Sequence, residues 1–444
     1  MRAWTGNLAL VIGLGLAGCS DGSADLPTGE SAESPENTGA AQEGIAVGEP
    51  LGDGSDPMAH IAYFSSDTMR GRNSPSNELS SAAQYIKHYL TMHGLTGPNP
   101  SDPNGPYAQT FTVATFDAEA AGEHLHAHAA GDAKRFGSSL FESGFYLDEK
   151  MSPIAHEAAS RLYDRAMGGI KHDATTIEKS GHDHDKEHEE AGHEEGKQEL
   201  RPIEDIRSSA MLAGTVYNLL GKLDGTGAQS SQVVLVMAHL DHIGATASGT
   251  VNNGADDNAS GSATILSAIP ALAALKKNGQ LNRSVVFMWT AAEEKGLIGS
   301  QYFVDHPIAG IGLSNIVGVI NMDMVGRWDD QRISVIDTDL AGTANFMRTH
   351  LQNANAALSD PFDTVNRDIN SYIDRQDGWP FLNAGEPVMF LFEGLSNPAG
   401  GGSLHADYHA STDDIDKIMQ DNGGNKPRRM RDLLIELVKR VANQ

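Results

Sequence analysis

The chain has 444 residues, a formal net charge of −27 at pH 7 and a single cysteine. So large an excess of acid argues against nucleic acid and anionic lipid headgroups as partners, and a lone cysteine excludes an intramolecular disulfide framework. The length is enough for one large α/β domain with an insertion, or for two domains. The composition gives no indication of an oligomeric state.

Residues 1–18 are typical of a signal peptide, because one charge, Arg2, precedes an apolar run that is too short to span a bilayer with normal flanks. The run ends in Leu16-Ala17-Gly18-Cys19. This motif resembles a bacterial lipobox, which implies cleavage before Cys19 and lipidation of its thiol. Ser20 then favours the outer membrane. We expect a lipid-anchored protein in the envelope of a Gram-negative bacterium, facing the periplasm; the alternative is an ordinary signal peptide followed by an incidental cysteine.

Residues 19–57 are rich in Gly, Ser, Pro, Ala and acidic residues and contain no Lys or Arg. A segment of this composition cannot bury enough apolar surface to offset the entropy of ordering it. We expect a flexible acidic tether here, followed by a folded domain over residues 58–444.

A His-rich insertion is predicted within that domain, over residues 117–210. The alternating pattern before it, Tyr107 to Val113, is typical of an edge strand, and Tyr217 to Leu223 is its expected partner. The tract from His182 to Glu195 holds four histidines among acidic residues. It is either a solvated low-complexity loop or a weak zinc trap, since imidazole and carboxylate both suit that ion.

Three short apolar runs, rich in β-branched residues, organise the rest of the chain: Val233 to Ala238, Val285 to Thr290, and Ile316 to Ile320. Such runs are typical of strands buried on both faces of a parallel sheet. The segments between them are long enough for helices. We therefore predict an α/β fold, a three-layer sandwich with a mixed, mostly parallel central sheet covered by helices on both faces.

Polar clusters follow each predicted strand, where ligands bind in open α/β sheets. His239 and Asp241 follow the first strand, Glu293 and Glu294 the second, and Asp323 the third, while Asp256 and Asp257 lie in the loop after the first. Each acidic pair alone could be a turn or a helix cap. Three such clusters at the ends of buried strands favour a metal site, because burying carboxylates without a counter-charge is costly.

The predicted ligand set has two imidazoles and three carboxylates: His239, Asp257, Glu294, Asp323 and His409. It suits two Zn²⁺ ions that share one carboxylate. We expect Asp241 to accept the second ring proton of His239, and Glu293, which is not needed as a ligand, to be the catalytic base.

Five segments resemble the bacterial di-zinc aminopeptidases of peptidase clan MH, which are related to leucyl aminopeptidases, glutamate carboxypeptidases and glutaminyl cyclases. They are residues 238–244, 254–261, 291–300, 321–327 and 407–413. The resemblance implies that Asp257 bridges two metals, with Glu294 and His409 at one and His239 and Asp323 at the other. His405 is a rival to His409, but Asp413 after Tyr408-His409 fits the motif better. Tyr372 and Asp377 are the expected substrate contacts.

The expected function is removal of N-terminal residues from peptides by a water molecule activated between two zinc ions, with Glu293 as the general base and Asp241 as a second catalytic residue that orients His239. The alternatives are a carboxypeptidase or dipeptidase of the same fold, or a non-catalytic zinc-binding lipoprotein. The preferred N-terminal residue is not indicated by any of these motifs.

Overall fold

The computed structural model describes residues 54–115, 144–147 and 212–444, apart from Ala247 and Pro398. Eight α-helices lie in these ranges: α1 (Pro57–Phe64), α2 (Asn77–Met92), α3 (Gly261–Lys277), α4 (Ile298–Asp305), α5 (Met347–Ala357), α6 (Trp379–Asn383), α7 (Ile415–Asn422) and α8 (Asn425–Ala442). Shorter helical turns cover Asp67–Arg72, Ala255–Ser260, Leu313–Asn315 and Asn370–Tyr372.

The strands in these ranges form one nine-stranded sheet: β1 (Ala108–Thr115), β2 (Gly144–Leu147), β3 (Leu212–Leu223), β4 (Val233–His239), β5 (Ser284–Thr290), β6 (Ile316–Met322), β7 (Arg332–Ile336), β8 (Thr364–Asn366) and β9 (Val388–Phe392). Their spatial order is β2-β1-β3-β5-β4-β6-β9-β7-β8. The central strands β5, β4, β6 and β9 run parallel, and antiparallel strands join them on both sides.

Side chains of the central strand β4 alternate between two hydrophobic layers. Val234 and Val236 pack in the larger core with residues of α2, α3 and α8, whereas Val233, Leu235 and Met237 pack in a second core. That second core includes Phe303 of α4 and Phe381 of α6. Helices therefore cover both faces of the sheet, and the predicted α/β three-layer fold is confirmed.

The three predicted buried strands are present as β4, β5 and β6. Every residue of β4 and β5 is buried. The predicted pairing of the two strands around the insertion is also confirmed, because β1 pairs antiparallel with β3. The expectation that β1 lies at the sheet edge is wrong. Residues 144–147, inside the predicted insertion, form β2 and pair with its other side.

The described fold begins before the predicted domain boundary. Asp56 caps α1 by accepting the Met58 N–H at 3.2 Å, and its carboxylate pairs with Arg428 of α8 at 3.0 Å. The carbonyl of Gly54 lies 2.9 Å from a ring nitrogen of His60. Residues 54–57 of the predicted tether are thus attached to the domain. The signal peptide, Cys19 and the His-rich tracts lie outside the described residues.

One segment of the described ranges, Ala255–Lys277, is long and apolar enough to cross a membrane by length and composition. It is the helix that follows β4, and 72% of its apolar window is buried inside the fold. This burial is what a core helix of an α/β domain requires. Pro270 lies within α3, which continues to Lys277.

Candidate metal centre and its cavity

The ends of three parallel strands bring the predicted ligands together. In the register of the sheet His239 lies beside Thr290, and Met237 lies beside Asn321. The chain beyond each of these strand ends therefore emerges at the same edge of the sheet. Glu293 and Glu294 follow β5 there, and Asp323 directly follows β6.

Asp257 reaches this edge from an irregular turn, Ala255–Ser260, that precedes α3. Its backbone is not helical (φ −102°, ψ 96°). The Asp413 carboxylate accepts the backbone N–H groups of Asp256 and Asp257, each at 3.0 Å. Asn258 donates to the Met322 carbonyl at 3.0 Å and accepts the Gly261 N–H at 2.9 Å. These bonds fix the position of Asp257 against the end of β6.

The two carboxylate oxygens of Asp257 face different imidazoles. Its Oδ1 lies 3.3 Å from His239 Nε2, and its Oδ2 lies 3.1 Å from His409 Nε2. On the first side Asp323 Oδ1 is 3.2 Å from His239 Nε2, and on the second Glu294 Oε2 is 2.9 Å from His409 Nε2. We call these five side chains the cavity cluster. The structure brings all five predicted ligands together, and His409 rather than His405 lies with Asp257 and Glu294.

The donor atoms fit a divalent cation such as zinc. Ligands about 2.1 Å from a tetrahedral ion lie roughly 3.4 Å from one another, close to the separations found here. His409 Nε2 and Asp257 Oδ2 are both buried and without a hydrogen-bond partner although they are 3.1 Å apart. These buried donor atoms are therefore available to a cation. Three carboxylates with two imidazoles also leave negative charge that a cation would neutralise.

Glu293 lies beside this cluster and is partly exposed, unlike the buried Glu294. Burial, opposed by the nearby His239 and reinforced by Glu294 and Asp323, raises its pKa well above the ordinary value. A carboxyl with a raised pKa can hold a proton and release it near neutral pH.

Asp241 supports the site in a different way from the prediction. Its backbone carbonyl, not its carboxylate, lies 3.1 Å from His239 Nδ1. Its carboxylate accepts the backbone N–H of Glu293 at 3.1 Å, which fixes the turn after β5. The side chain is fully buried, and burial raises its pKa to about 7. Asp241 therefore positions Glu293 directly and His239 through the main chain.

His242 and Arg72 are two further supports. His242 Nδ1 lies 2.8 Å from Glu294 Oε1 and so holds the oxygen of Glu294 that does not face His409. Arg72 is fully buried, and its guanidinium donates only to backbone carbonyls: those of Phe64, Leu240, Asn253 and Gly254. Leu240 follows a ligand, and Gly254 lies in the segment before Asp257. Arg72 thus ties the His239 and Asp257 loops together, a role that no local motif indicates.

A cavity of about 490 Å³ opens onto the cavity cluster. Its walls are mostly apolar and aromatic, with one cation: Met324, Ile369, Tyr372, Arg375, Phe390, Phe392, Leu404 and Tyr408. Concave, mostly apolar sites with a few polar groups typically bind small molecules or single side chains. Tyr408 stacks on His409 with ring centroids 3.9 Å apart. Its place in the cavity was not predicted, although it directly precedes a predicted ligand.

The two predicted substrate contacts differ in position. Tyr372 lines the cavity. Asp377 does not, because it is 1% exposed and accepts a hydrogen bond from Thr290 Oγ1 at 2.5 Å. The Asp377 carboxylate is buried at the end of β5 and is bonded to the protein itself. The expected substrate contact of Asp377 is therefore not found.

Comparison with known proteins agrees with this geometry. The family model described as "Peptidase family M28" matches residues 218–434, the part of the chain that holds the complete cavity cluster. Residues 218–434, just under half of the chain, are therefore similar to this peptidase family. A probable leucine aminopeptidase of Arthroderma otae is 29% identical over 243 residues, which are 48% of this chain and 61% of that protein. Leupeptin-inactivating enzyme 1 of Streptomyces exfoliatus is 32% identical over 216 residues, 46% of this chain and 44% of that enzyme.

The fold is also found among solved structures. A zinc aminopeptidase from Bacillus subtilis superposes with a TM-score of 0.52 at 16% identity, covering 87% of this chain and 95% of that one. At this identity the likeness establishes the fold alone. The chain spans about half of the length of the sequence relatives that it matches.

Proposed function

We propose that this protein is a zinc aminopeptidase that binds two zinc ions and removes N-terminal residues from peptides. One observation supports this proposal most strongly: Asp257 presents one oxygen to His239 and Asp323 and the other to His409 and Glu294, at the floor of a cavity. A shared carboxylate between two His-carboxylate pairs suits two ions a few ångströms apart. The relatives described as leucine aminopeptidases point to the same activity.

The mechanism assigns separate tasks to the residues. When bound, the zinc ions would polarise the scissile carbonyl and acidify the attacking water. Glu293 accepts the proton of that water and passes it to the leaving amine. Burial raises its pKa well above the ordinary value, as suits a group that both accepts and donates a proton. Asp241 keeps Glu293 in place by accepting its backbone N–H.

The cavity supports a preference for apolar N-terminal residues. Ile369, Phe390 and Leu404 among its lining offer no hydrogen-bond partner to a polar side chain. An apolar side chain such as leucine or phenylalanine that packs against these residues is removed from water, which contributes roughly 1.5–3 kcal/mol when burial is complete.

The test compares leucyl-p-nitroanilide with its N-acetylated form, alongside zinc content per chain. We expect turnover of the free amine only, two zinc ions per chain, and loss of turnover with a chelator that zinc restores. Cleavage of an N-blocked peptide at its C-terminus would favour a carboxypeptidase instead. Zinc binding without turnover of any peptide would favour the non-catalytic zinc-binding lipoprotein.

We also propose that Cys19 anchors the protein in the outer membrane, on the periplasmic side. The support is the lipobox-like motif at residues 16–19. Cys19→Ala should move the protein from the membrane fraction to the soluble fraction. A mutant that stays in the membrane fraction after salt washing would contradict the anchor.

A further inference from the structure

Arg375 is the one cation among the residues that line the cavity, which otherwise presents four carboxylates and apolar groups. Its side chain is exposed. No carboxylate of the described part of the chain forms an ion pair with its guanidinium, whose recorded contact is the Tyr372 ring, 5.5 Å from the guanidinium carbon to the ring centroid. Arg367, eight residues earlier, is instead paired with Asp337 at 2.8 Å.

The backbone that carries Arg375 is rigidly attached to the metal-centre strands. Gln376 accepts a hydrogen bond from Asn321 of β6 at 3.0 Å, and Asn321 lies two residues before Asp323. Asp377 accepts one from Thr290 at the end of β5, three residues before Glu293. The Arg375 N–H also bonds the Tyr372 carbonyl at 3.0 Å. The guanidinium is therefore held at the cavity by a fixed base while its donors remain free.

We propose that Arg375 binds a carboxylate of the substrate, which deepens the proposed aminopeptidase function and rests on it. A guanidinium binds a carboxylate through two parallel N–H donors, with geometry that a neutral group does not match. Arg375, the one cation among the lining residues, suits a negative group of the substrate. A short peptide with a free C-terminus carries such a group close to the scissile bond. The carboxylate is either the C-terminus of a dipeptide or an acidic side chain of the substrate.

The experiment measures kcat and KM on matched substrate pairs at constant ionic strength. Leu-Gly against Leu-Gly-amide tests the terminal carboxylate, and Leu-Glu-amide against Leu-Gln-amide tests an acidic side chain. We expect the parent protein to favour the carboxylate member of one pair by about tenfold to hundredfold in kcat/KM, the range for a charge-assisted hydrogen bond. Whichever pair shows the preference identifies the source of the carboxylate.

Arg375→Met should bring that ratio close to one, mainly through KM for the carboxylate substrate, and Arg375→Lys should keep part of it. Arg440→Met is the matched control: it removes the same charge from a half-buried arginine that pairs with Glu436 on α8, outside the cavity lining, and should preserve the ratio. Equal ratios in the parent and Arg375→Met would overturn the proposal. If the parent hydrolysed none of the four substrates, the proposed function itself would be at fault.

Discussion

Two buried acidic clusters share the turn that holds Asp256 and Asp257, and each contains one of these two neighbouring carboxylates. The cavity cluster is formed around Asp257. The rear cluster consists of Asp256, Glu393 and His405, with His405 Nε2 3.1 Å from Asp256 Oδ2. Both have the pattern of a histidine with two carboxylates whose ligand atoms are close enough to hold a metal ion.

The clusters differ in what balances their charge. In the rear cluster the backbone N–H groups of Gly326 and Arg327 donate to Asp256 and Glu393 at 2.8 and 2.6 Å, and the buried Lys426 donates to the Glu393 carbonyl at 2.7 Å. Among the described residues no lysine or arginine contacts a carboxylate of the cavity cluster. Arg72, which lies behind it, donates to carbonyls only.

Protonation completes this contrast. Burial, together with the charge of Asp256, raises the pKa of Glu393 well above its ordinary value and so favours its neutral form. Burial opposes the ionisation of Asp256 and His405, but their hydrogen bond lowers the pKa of the acid and raises that of the imidazole. The rear cluster is then a balanced ion pair beside a neutral acid. Similar residues at similar distances therefore favour an external cation where, among the described residues, only imidazoles contact the carboxylates.

The largest expected effect concerns Glu293, the proposed general base beside the cavity cluster. Glu293→Gln keeps the size of the side chain but cannot accept a proton, so turnover should fall by about 10²–10⁴-fold. Zinc content should not change, because Glu293 is placed as a base and not as a ligand. Turnover of leucyl-p-nitroanilide and zinc per chain are measured together, with His239→Ala as the variant that should lose metal. A Gln variant that keeps its zinc and the parent rate would refute the role of Glu293; loss of one zinc would make it a ligand.

The second prediction concerns Arg72, the buried cation that bonds the loops carrying His239 and Asp257. Arg72→Met leaves carbonyls of both ligand loops without a buried donor, which should cost about 2–4 kcal/mol of unfolding free energy. Zinc affinity should also fall, because the loops that carry His239 and Asp257 are no longer tied together. Urea unfolding of the chelator-treated protein and competition with a zinc-binding dye measure the two effects.

Arg72→Lys is the control, since it keeps the charge but has fewer donors with a different geometry. It should restore part of both quantities. If Arg72→Met lowered the unfolding free energy while zinc affinity stayed at the parent value, Arg72 would stabilise the fold without positioning the ligands.

The central sheet could be predicted from the sequence, whereas most of the difference between the cavity cluster and the rear cluster could not. The runs that became β4 and β5 are continuously apolar, and only strands buried on both faces satisfy such a pattern. The order of the polar clusters then placed the predicted ligands at one edge of the sheet. These predictions depend on local composition and on the geometry of parallel strands, which are both readable from one chain.

The unpredicted features depend on backbone detail and on distant partners. Asp257 was predicted as a ligand, but the dihedral angles of the irregular turn that bring it to the cavity, and the contact of Asp256 with His405 behind it, were not. Arg72 bonds carbonyls up to 182 residues away, and every residue has a carbonyl, so no motif identifies its partners. Asp377 was expected to contact substrate from the family resemblance, whereas in the fold its hydroxyl partner is Thr290 at the end of β5.

The third prediction concerns the rear cluster's own cation. Burial lowers the pKa of Lys426 to about 8 from its ordinary 10.5. Between these values the unfolded chain holds a proton that the folded chain has released, so the unfolding free energy should rise with pH, by up to about 3 kcal/mol. Below pH 8 the lysine is charged in both states and its contribution is constant. Lys426→Met should lack this rise, which urea unfolding at pH 7.5 to 10 and fixed zinc concentration would reveal. Parallel pH curves for the two proteins would contradict the assignment.

The smallest expected effect is that of Glu393→Gln, which tests directly whether the rear cluster differs from the cavity cluster in binding no metal. Glu393→Gln replaces a carboxyl that is neutral in the folded protein by a neutral amide of similar shape, so at pH 4.5 the unfolding free energy should change by no more than about 1 kcal/mol. Above pH 4.5 the unfolded parent loses a proton that the folded parent retains, so the parent should lose stability relative to the variant as pH rises. Zinc per chain and turnover should equal those of the parent, whereas Asp257→Asn should lose zinc. A zinc ion missing from Glu393→Gln would show that the rear cluster binds metal after all, and that charge balance does not separate the two sites.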